Sequence, residues 1–308
     1  MILCCGEALI DMIPTPTNTG RDGFVPHSGG AIFNTAIALG RLGTPVGMVT
    51  GLSSDMFGDQ LRAALSQSHV DTTTTIRSDR PSTLAFVKLT DGQASYSFYD
   101  ENSAGRMLTL ADMPVLGPSV SGLFFGGISL ACEPCADAYA ALLERECTAR
   151  VVMIDPNIRP GFIQDENRYR ARLDRMLRLS DIVKISDEDL NWIDPGPQSL
   201  GEKVSAILGM GPSLVILTRG GDGATGYLGD GSQVSVPARI VTIVDTVGAG
   251  DTFNAGVLAK LFELGLLTKS AIKVLSTQTL EMVLSHGADA AAVTVSRAGA
   301  NPPWTNDL

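Results

Sequence analysis

Asp245-Thr246-Val247-Gly248-Ala249-Gly250-Asp251-Thr252-Phe253 is the stretch on which the reading of this chain turns. Before it, Ile240 to Val244 reads as a strand. After it, Phe253, Val257, Leu258 and Leu261 recur at helical spacing until Gly265 stops the helix. Gly248, Ala249 and Gly250 therefore lie at a helix N-terminus. Two glycines let the backbone approach an anion closely, and the free N–H groups with the helix dipole favour negative charge there.

Asp251 places a carboxylate at this anion-binding helix start, and two readings are open to it. As an N-cap it would only satisfy backbone donors. Beside a phosphate cradle it can also accept a proton from a hydroxyl while the N–H groups neutralise charge on a transferring phosphoryl group. A second stretch bears on the choice: Ser28-Gly-Gly-Ala-Ile-Phe-Asn-Thr-Ala-Ile-Ala-Leu-Gly-Arg-Leu-Gly43. Gly29-Gly30 opens a helix, Asn34 lies in its first turns, and Gly43 is placed as its C′ residue. A capped helix after a tight turn would need no more. The functional reading is a backbone that approaches a sugar, with Asn34 offering donor and acceptor to hydroxyls.

Outward from these stretches, short β-like runs alternate with helix-like runs over most of the 308 residues, the pattern of parallel strands with crossover helices. Ile2 to Cys5 and Val46 to Thr50 read as strands, the latter followed by a helix from Phe57 to Ser66. Leu123–Phe125, Val151–Ile154, Ile182–Ile185 and Leu214–Thr218 continue the series, each ending near a residue that opens a turn or caps a helix. Two segments break the rhythm. Ile13 to Ser28 is rich in Pro, Thr and Gly. Thr83 to Tyr99 alternates apolar and polar residues (Leu84, Phe86, Leu89, then Tyr96 and Phe98) around Asp91-Gly92, a hairpin turn. Both are expected as strands of a small sheet projecting from one domain that spans residues 1–308. Their apolar edges (Leu84, Phe86, Phe98) suggest a homodimer through exposed strands.

An apolar fraction of 44% is enough for a sizeable core, and 18% charged residues are too few for a disordered chain. A net charge of −10 repels a phosphate backbone, so a nucleic-acid partner would need a local basic patch. The densest basic stretch, Arg168, Arg170, Arg172, Arg175 and Arg178, is interleaved with Leu173, Met176, Leu177 and Leu179 at helical spacing. It reads as the polar face of a surface helix, and no nucleic-acid partner is expected. No run of ~18 apolar residues occurs, and Glu7 and Asp11 interrupt the N-terminal segment, so neither a membrane span nor a signal segment is expected. Five cysteines, an odd number in a long chain, suit a reducing, cytoplasmic compartment.

Three other signals lose to their context. Gly221-Asp-Gly-Ala-Thr-Gly226 has the spacing of a dinucleotide fingerprint, but Tyr227 to Ser232 and Val234–Val236 read as a hairpin where a helix is required. Cys132-Glu-Pro-Cys135 has no second cysteine pair to complete a zinc site. Three scattered histidines leave no obvious hydrolase triad.

The two glycine-rich stretches together resemble the signatures of the ribokinase-like carbohydrate kinases, also called the phosphofructokinase B type: Gly-Gly-x-x-x-Asn early in the chain and Asp-Thr-x-Gly-Ala-Gly-Asp-x-Phe late. The resemblance extends over nearly the whole chain, including Asp55 to Gly58 and Ala288 to Pro302. It implies a three-layer α/β/α sandwich with a mostly parallel central sheet and a small projecting β-sheet lid. It implies ATP-dependent sugar phosphorylation, with Asp251 as the base and Gly248, Ala249 and Gly250 as the anion hole; a non-catalytic sugar or nucleotide sensor on the same fold is the alternative, favoured where Asp251 or the glycine turn is broken, and both are intact here. Asp11, Gly29, Gly30 and Asn34 then bind sugar hydroxyls. Leu217-Thr-Arg-Gly-Gly-Asp-Gly223, with Thr218, Gly220 and Gly223, looks like the nucleotide-binding turn. Asp245 matches a position that helps hold a monovalent cation such as K⁺.

Lys184-Ile-Ser-Asp-Glu-Asp189 falls where many members carry Asn-x-x-Glu, which organises magnesium and phosphate. This chain puts Ser186 and Asp189 there, and Asp for Glu shortens the reach by one methylene. Lys184 and Ser186 are expected on the nucleotide and Asp189 on Mg²⁺. Gly6 to Pro14 and Phe98 to Met107 look most like fructokinases, whereas Asp155-Pro-Asn-Ile-Arg159 is shared with 2-keto-3-deoxygluconate kinases. Phe98 is expected at the substrate. Arg106 or Arg159 would supply the charge that a carboxylate-bearing sugar requires.

Overall fold

The computed structural model describes residues 1–90 and 93–308; the expected Asp91-Gly92 turn, with the side chains of Leu89 and Tyr96, lies outside the described residues. The chain enters on β1 (Ile2–Cys5), leaves for β2 (Leu9–Pro16) and β3 (Asp22–Gly29), and returns through α1 (Ala31–Arg41) to β4 (Val46–Val49). After β5 (Gly51–Ser53), α2 (Met56–Gln67) leads to β6 (Val70–Asp71) and β7 (Ile76–Ser78). β8 (Leu84–Thr90) and β9 (Gln93–Tyr99) follow. Then come β10 (Gly122–Gly126), α3 (Cys135–Glu146), β11 (Val151–Asp155), α4 (Glu166–Leu179) and β12 (Ile182–Ser186). α5 (Asp187–Ile193) and α6 (Leu200–Leu208) connect to β13 (Leu214–Thr218), which turns into the hairpin β14 (Ala224–Leu228) and β15 (Gln233–Val236). α7 (Ala249–Glu263), α8 (Lys269–Lys273) and α9 (Thr277–Val295) complete the helices.

The main sheet has nine strands in the order β15-β14-β13-β12-β11-β10-β1-β4-β6, parallel except along β13-β14-β15. Its central strands are buried on both faces, which is why they read as short unbroken apolar runs. β1 shows the division: Ile2 and Cys4 join the core under α1, α2, α7, α8 and α9, while Leu3 and Cys5 join the core under α3 to α6. The result is a three-layer α/β/α sandwich.

Four strands form a second sheet, β3-β2-β8-β9, whose register sorts its side chains into two faces. Asp11 pairs with Ala85, and Ala85 with Phe98, so Asp11 and Phe98 share one face with Leu9. Phe24, Phe86 and Tyr99 stack edge to face on the other, with ring centroids 5.0 and 5.5 Å apart. The apolar edge expected from Leu84, Phe86 and Phe98 is corrected accordingly: β8 is an inner strand, and Phe98 faces away from the other two.

Two further readings are corrected. Ile240 to Val244 is not a strand. β15 already forms the sheet edge, and the segment passes beyond it to reach α7, with Ile240, Ile243 and Val244 exposed. The N–H groups of Val244 and Asp245 both donate to Val295 O, at 2.8 and 3.2 Å. Arg172 is not on a polar surface face: it is buried, ion-paired to Glu133 and Asp137, and donates to Leu130 O at 2.8 Å. The neighbouring arginines pair with Asp137, Glu166, Glu144 and Asp174, so their charge is neutralised locally.

Asp55 ties the root of the small sheet to α2. Its Oδ1 accepts from Phe57 N, Gly58 N and Ser82 Oγ, and its Oδ2 accepts from Ser82 N at 2.9 Å. Burial alone would raise its pKa, but the hydrogen bonds from Gly58 and Ser82 prevail and hold it below the usual carboxylate range. A depressed folded-state pKa contributes stability above the unfolded value that is lost as pH falls through the folded one. Asp55→Ala should cost about 1–2 kcal/mol in urea unfolding at pH 7, and the gap to wild type should narrow in acid.

Candidate active site

The parallel strands deliver their carboxyl ends to one side of the sheet, where open α/β folds bind ligands. Glu7 follows β1, Gly127 follows β10, Asp155 ends β11 and Lys184 is the middle residue of β12. Together with the first turns of α1 and α7 and the inner face of the small sheet, they enclose a cleft of about 430 Å³.

Gly248 is the N-cap of α7 in the left-handed region, φ 79°, and a Cβ there would come within 2.7 Å of Ala300 Cβ. Only glycine fits that turn without strain. Asp251 is the third residue of the helix and not its N-cap. It is buried, and Asn34 Nδ2 of α1 donates to its Oδ2 at 2.9 Å. Thr35 Oγ1 donates to Asp251 O at 3.2 Å, so two adjacent residues of α1 clasp the start of α7. Burial pushes the Asp251 pKa up to about 7. The Asn34 hydrogen bond and Lys184 pull it down, while the charges of Asp155 and Glu7 push it up.

Lys184 is buried, and its Nζ donates to Asp155 Oδ2 at 2.9 Å. The same oxygen accepts from Asn254 Nδ2 at 2.7 Å, one helical turn after Asp251. A Cβ at Gly250 would stand 3.5 Å from Lys184 Nζ, so the ammonium faces the glycine turn. Asp155 Oδ1 is buried with no partner among the described residues. Across the cleft, burial lifts the Asp11 pKa to about 6, and Asp11 Oδ2 occupies the place that a Cβ on Gly29 would need. Phe98 packs on Phe162 with ring centroids 4.2 Å apart, and both rings line the cleft with Arg159.

A buried carboxylate with a neutral-range pKa, set in the first turn of a helix beside a glycine turn and a lysine, is equipped to deprotonate a hydroxyl next to a bound phosphate. The family model for pfkB family carbohydrate kinases matches residues 1–307. The chain belongs to this family. The kinase is 54% identical over 281 residues to a fructokinase of Rhizobium leguminosarum bv. trifolii, covering 91% of this chain and 85% of that one. The crystal structure of fructokinase with bound ATP from Xylella fastidiosa superposes with a TM-score of 0.83 at 29% identity, over 97% of this chain and 93% of that one. A fructokinase from Vibrio cholerae O395, in fructose, ADP and calcium ion bound form, gives 0.82 at 26% identity, over 97% and 94%.

The cleft brings together Asp251, Gly248, Ala249, Gly250, Asp11, Gly30, Asn34, Phe98, Arg159 and Lys184. Ser186, Asp189, Thr218, Gly220 and Gly223 do not line it: Ser186 and Thr218 pair at the carboxyl ends of β12 and β13, Asp189 lies in the first turn of α5, and Gly220 and Gly223 follow β13. Ser186 caps α5 by accepting from Asp189 N at 3.0 Å. Asp189 accepts from Ile158 N at 3.1 Å, and burial lifts its pKa to about 6. Asp245 braces the glycine turn, accepting from Val247 N at 3.0 Å and Gly299 N at 2.9 Å. Arg106 stands apart from the cleft: it pairs with Asp100 at 2.9 Å and donates to Glu133 O at 3.1 Å, beside Cys132. Sequence reasoning passed over Glu7, Asp155 and Asn254 as site residues. Glu7 and Asp155 each carry a visible sign, an acidic residue at or just past the carboxyl end of an apolar strand, and Asn254 follows Asp251 by three on one helix face.

Between pH 3.8 and about 7 the folded kinase holds a proton on Asp251 that the unfolded chain has released, so stability falls as pH rises through that window. Asp251→Asn should therefore melt higher than wild type at pH 8 and close to it at pH 4, by thermal unfolding at both.

Proposed function

We propose that this kinase transfers the γ-phosphoryl group of ATP to the 6-hydroxyl of fructose. The observation that carries the reading is Asp251, a desolvated carboxylate bonded to Asn34 and set beside the Gly248–Gly250 turn. Likeness to the Rhizobium fructokinase supports fructose as the acceptor. Asp251 takes the proton of the acceptor hydroxyl as the phosphoryl group moves onto it in line, and the Ala249 and Gly250 N–H groups stabilise the developing charge. Lys184 adds a fixed positive charge to the same cradle. Asp11, Gly29, Gly30 and Asn34 hold the sugar hydroxyls against Phe98. Ser186, Thr218, Gly220 and Gly223 hold the nucleotide.

Magnesium fits the acidic groups here, because the buried Asp155 Oδ1 lacks a partner among the described residues and Asp189 lies within electrostatic reach of Asp155. Held through water by Asp155, Asp189 and the phosphates, Mg²⁺ would offset phosphate charge. A monovalent cation such as K⁺ at Asp245 would act on the glycine turn that Asp245 braces. No described helix is long and apolar enough to cross a membrane. A reducing cytoplasm suits five buried, free thiols.

Arg159 favours a second reading. It lines the cleft with no ion pair among the described residues, so it is open to a substrate carboxylate such as that of 2-keto-3-deoxygluconate. ATP consumption with Mg²⁺ against fructose, this keto-acid, ribose and adenosine separates the two. Turnover on fructose alone is expected, and preference for the keto-acid would move the acceptor to Arg159. On the preferred sugar, Asp251→Asn should lower kcat at least ~10²-fold with the fold retained; near-normal turnover would reduce Asp251 to a structural acid.

The small sheet, in this reading, closes as a lid that excludes water from the transfer. Its outer face pairs two copies into a homodimer, supported by exposed Phe24 and Tyr99 flanking Phe86. Light scattering at assay concentration should give twice the chain mass, and Phe24→Asp should yield an intact monomer. A monomeric wild type would refute the assembly.

A further inference from the structure

We propose that Glu7 is a positioning residue for phosphoryl transfer, fixing the start of α1 and hence the Asn34–Asp251 contact; the proposal rests on the reading of Asp251 as the base. Glu7 lies between two helix starts that lack side-chain caps of their own. Its Oε1 accepts from Ala31 N, the first residue of α1, at 3.0 Å, where the N-cap is Gly30. Its Oε2 accepts from Ser129 N at 3.3 Å, inside the short helical turn Gly127–Leu130 that follows Gly126. One carboxylate thus satisfies free backbone donors on both sides of the acceptor end of the cleft.

Both flanking turns are shaped around it. Gly30 has φ 108°, and a Cβ there would meet Glu7 Cγ at 3.1 Å. Gly127 has φ 66°, and a Cβ there would fall 2.2 Å from Glu7 Oε1. Each glycine both adopts a backbone that other residues resist and leaves room for the acid. Asn34 lies one helical turn beyond, its N–H donating to Gly30 O at 2.8 Å, so a displaced helix start carries the amide away from Asp251. Misplacement of this kind is costly in a reaction that depends on aligned atoms.

Glu7 also acts on Asp251 by charge. The groups that bear on that carboxylate are Asn34 from α1, Asp155 from β11, Lys184 from β12 and Glu7 from the residues after β1. Glu7 is the weakest of the charges that raise its pKa, and burial raises its own, so removing that charge shifts the acid limb of kcat/KM modestly to lower pH. A purely structural acid would lower thermal stability and leave that limb in place.

The test compares Glu7→Gln, Gly127→Ala and Asp251→Asn with wild type in kcat, KM and the pH profile of kcat/KM. Glu7→Gln should lose about tenfold to a hundredfold in kcat, with a smaller change in KM for ATP and an acid limb moved to lower pH. Gly127→Ala keeps the charge but crowds the carboxylate, so it should lose kcat with the limb unmoved. It carries the test if Glu7→Gln does not fold. A wild-type kcat in the folded variant, or a Glu7→Gln limb that stays put, overturns the proposal. Because Asp251→Asn is assayed alongside, its survival would mark the base reading as the failure, whereas its loss beside an active Glu7→Gln would sink the positioning role alone.

Discussion

Asp251 is held out of water in the first turn of α7 by one hydrogen bond from Asn34, and this contact between two helices orders what surrounds it. A carboxylate in that place is pulled both ways. Burial and the charges of Asp155 and Glu7 favour the protonated form, while the Asn34 amide and Lys184 favour the ionised one. The outcome, a pKa of about 7, leaves the group able to give or take a proton near neutrality. Such a balance carries a cost in folding stability, which is common where a site must be reactive.

Holding α1 and α7 together is the work of the rest of the fold. α7 packs between α1 and α9, and its apolar side chains are buried around much of its circumference. The sheet beneath sends β1, β10, β11 and β12 out at the same side, so Glu7, Gly127, Asp155 and Lys184 reach the cleft from four strands distant in sequence. The small sheet completes the wall through Leu9, Asp11 and Phe98, which its register places on one face. On its opposite face Phe24, Phe86 and Tyr99 stack edge to face, with Phe24 and Tyr99 exposed.

Much of this is legible in the sequence. The turn Gly248–Gly250, the helix after it, the Gly29-Gly30 opening of α1 and the central strands all follow from glycine conformation and short-range periodicity, which act within a few residues. The failures share a cause. Ile240–Val244 has the composition of a strand but no place in a sheet, because its route is set by where β15 ends and α7 begins. Arg172 has the spacing of a surface position, yet Glu133 and Asp137 from a neighbouring segment make its burial tolerable. Arg106 and Arg159 look equivalent as candidates; Asp100 occupies one and leaves the other in the cleft.

By itself the sequence determined the chemistry on offer: a carboxylate beside a glycine turn, a second glycine-rich helix start with an amide, and an acidic chain without a basic surface. Only the tertiary structure decided which of these groups meet. Asn34 and Asp251 are separated by 217 positions and joined at 2.9 Å. Lys184 turns to Asp155 and Gly250 because parallel pairing brings the end of β11 level with the middle of β12. Residue type and local period are carried by neighbouring residues, whereas distance and pKa depend on desolvation and on charges brought near by packing, which no short stretch of chain contains.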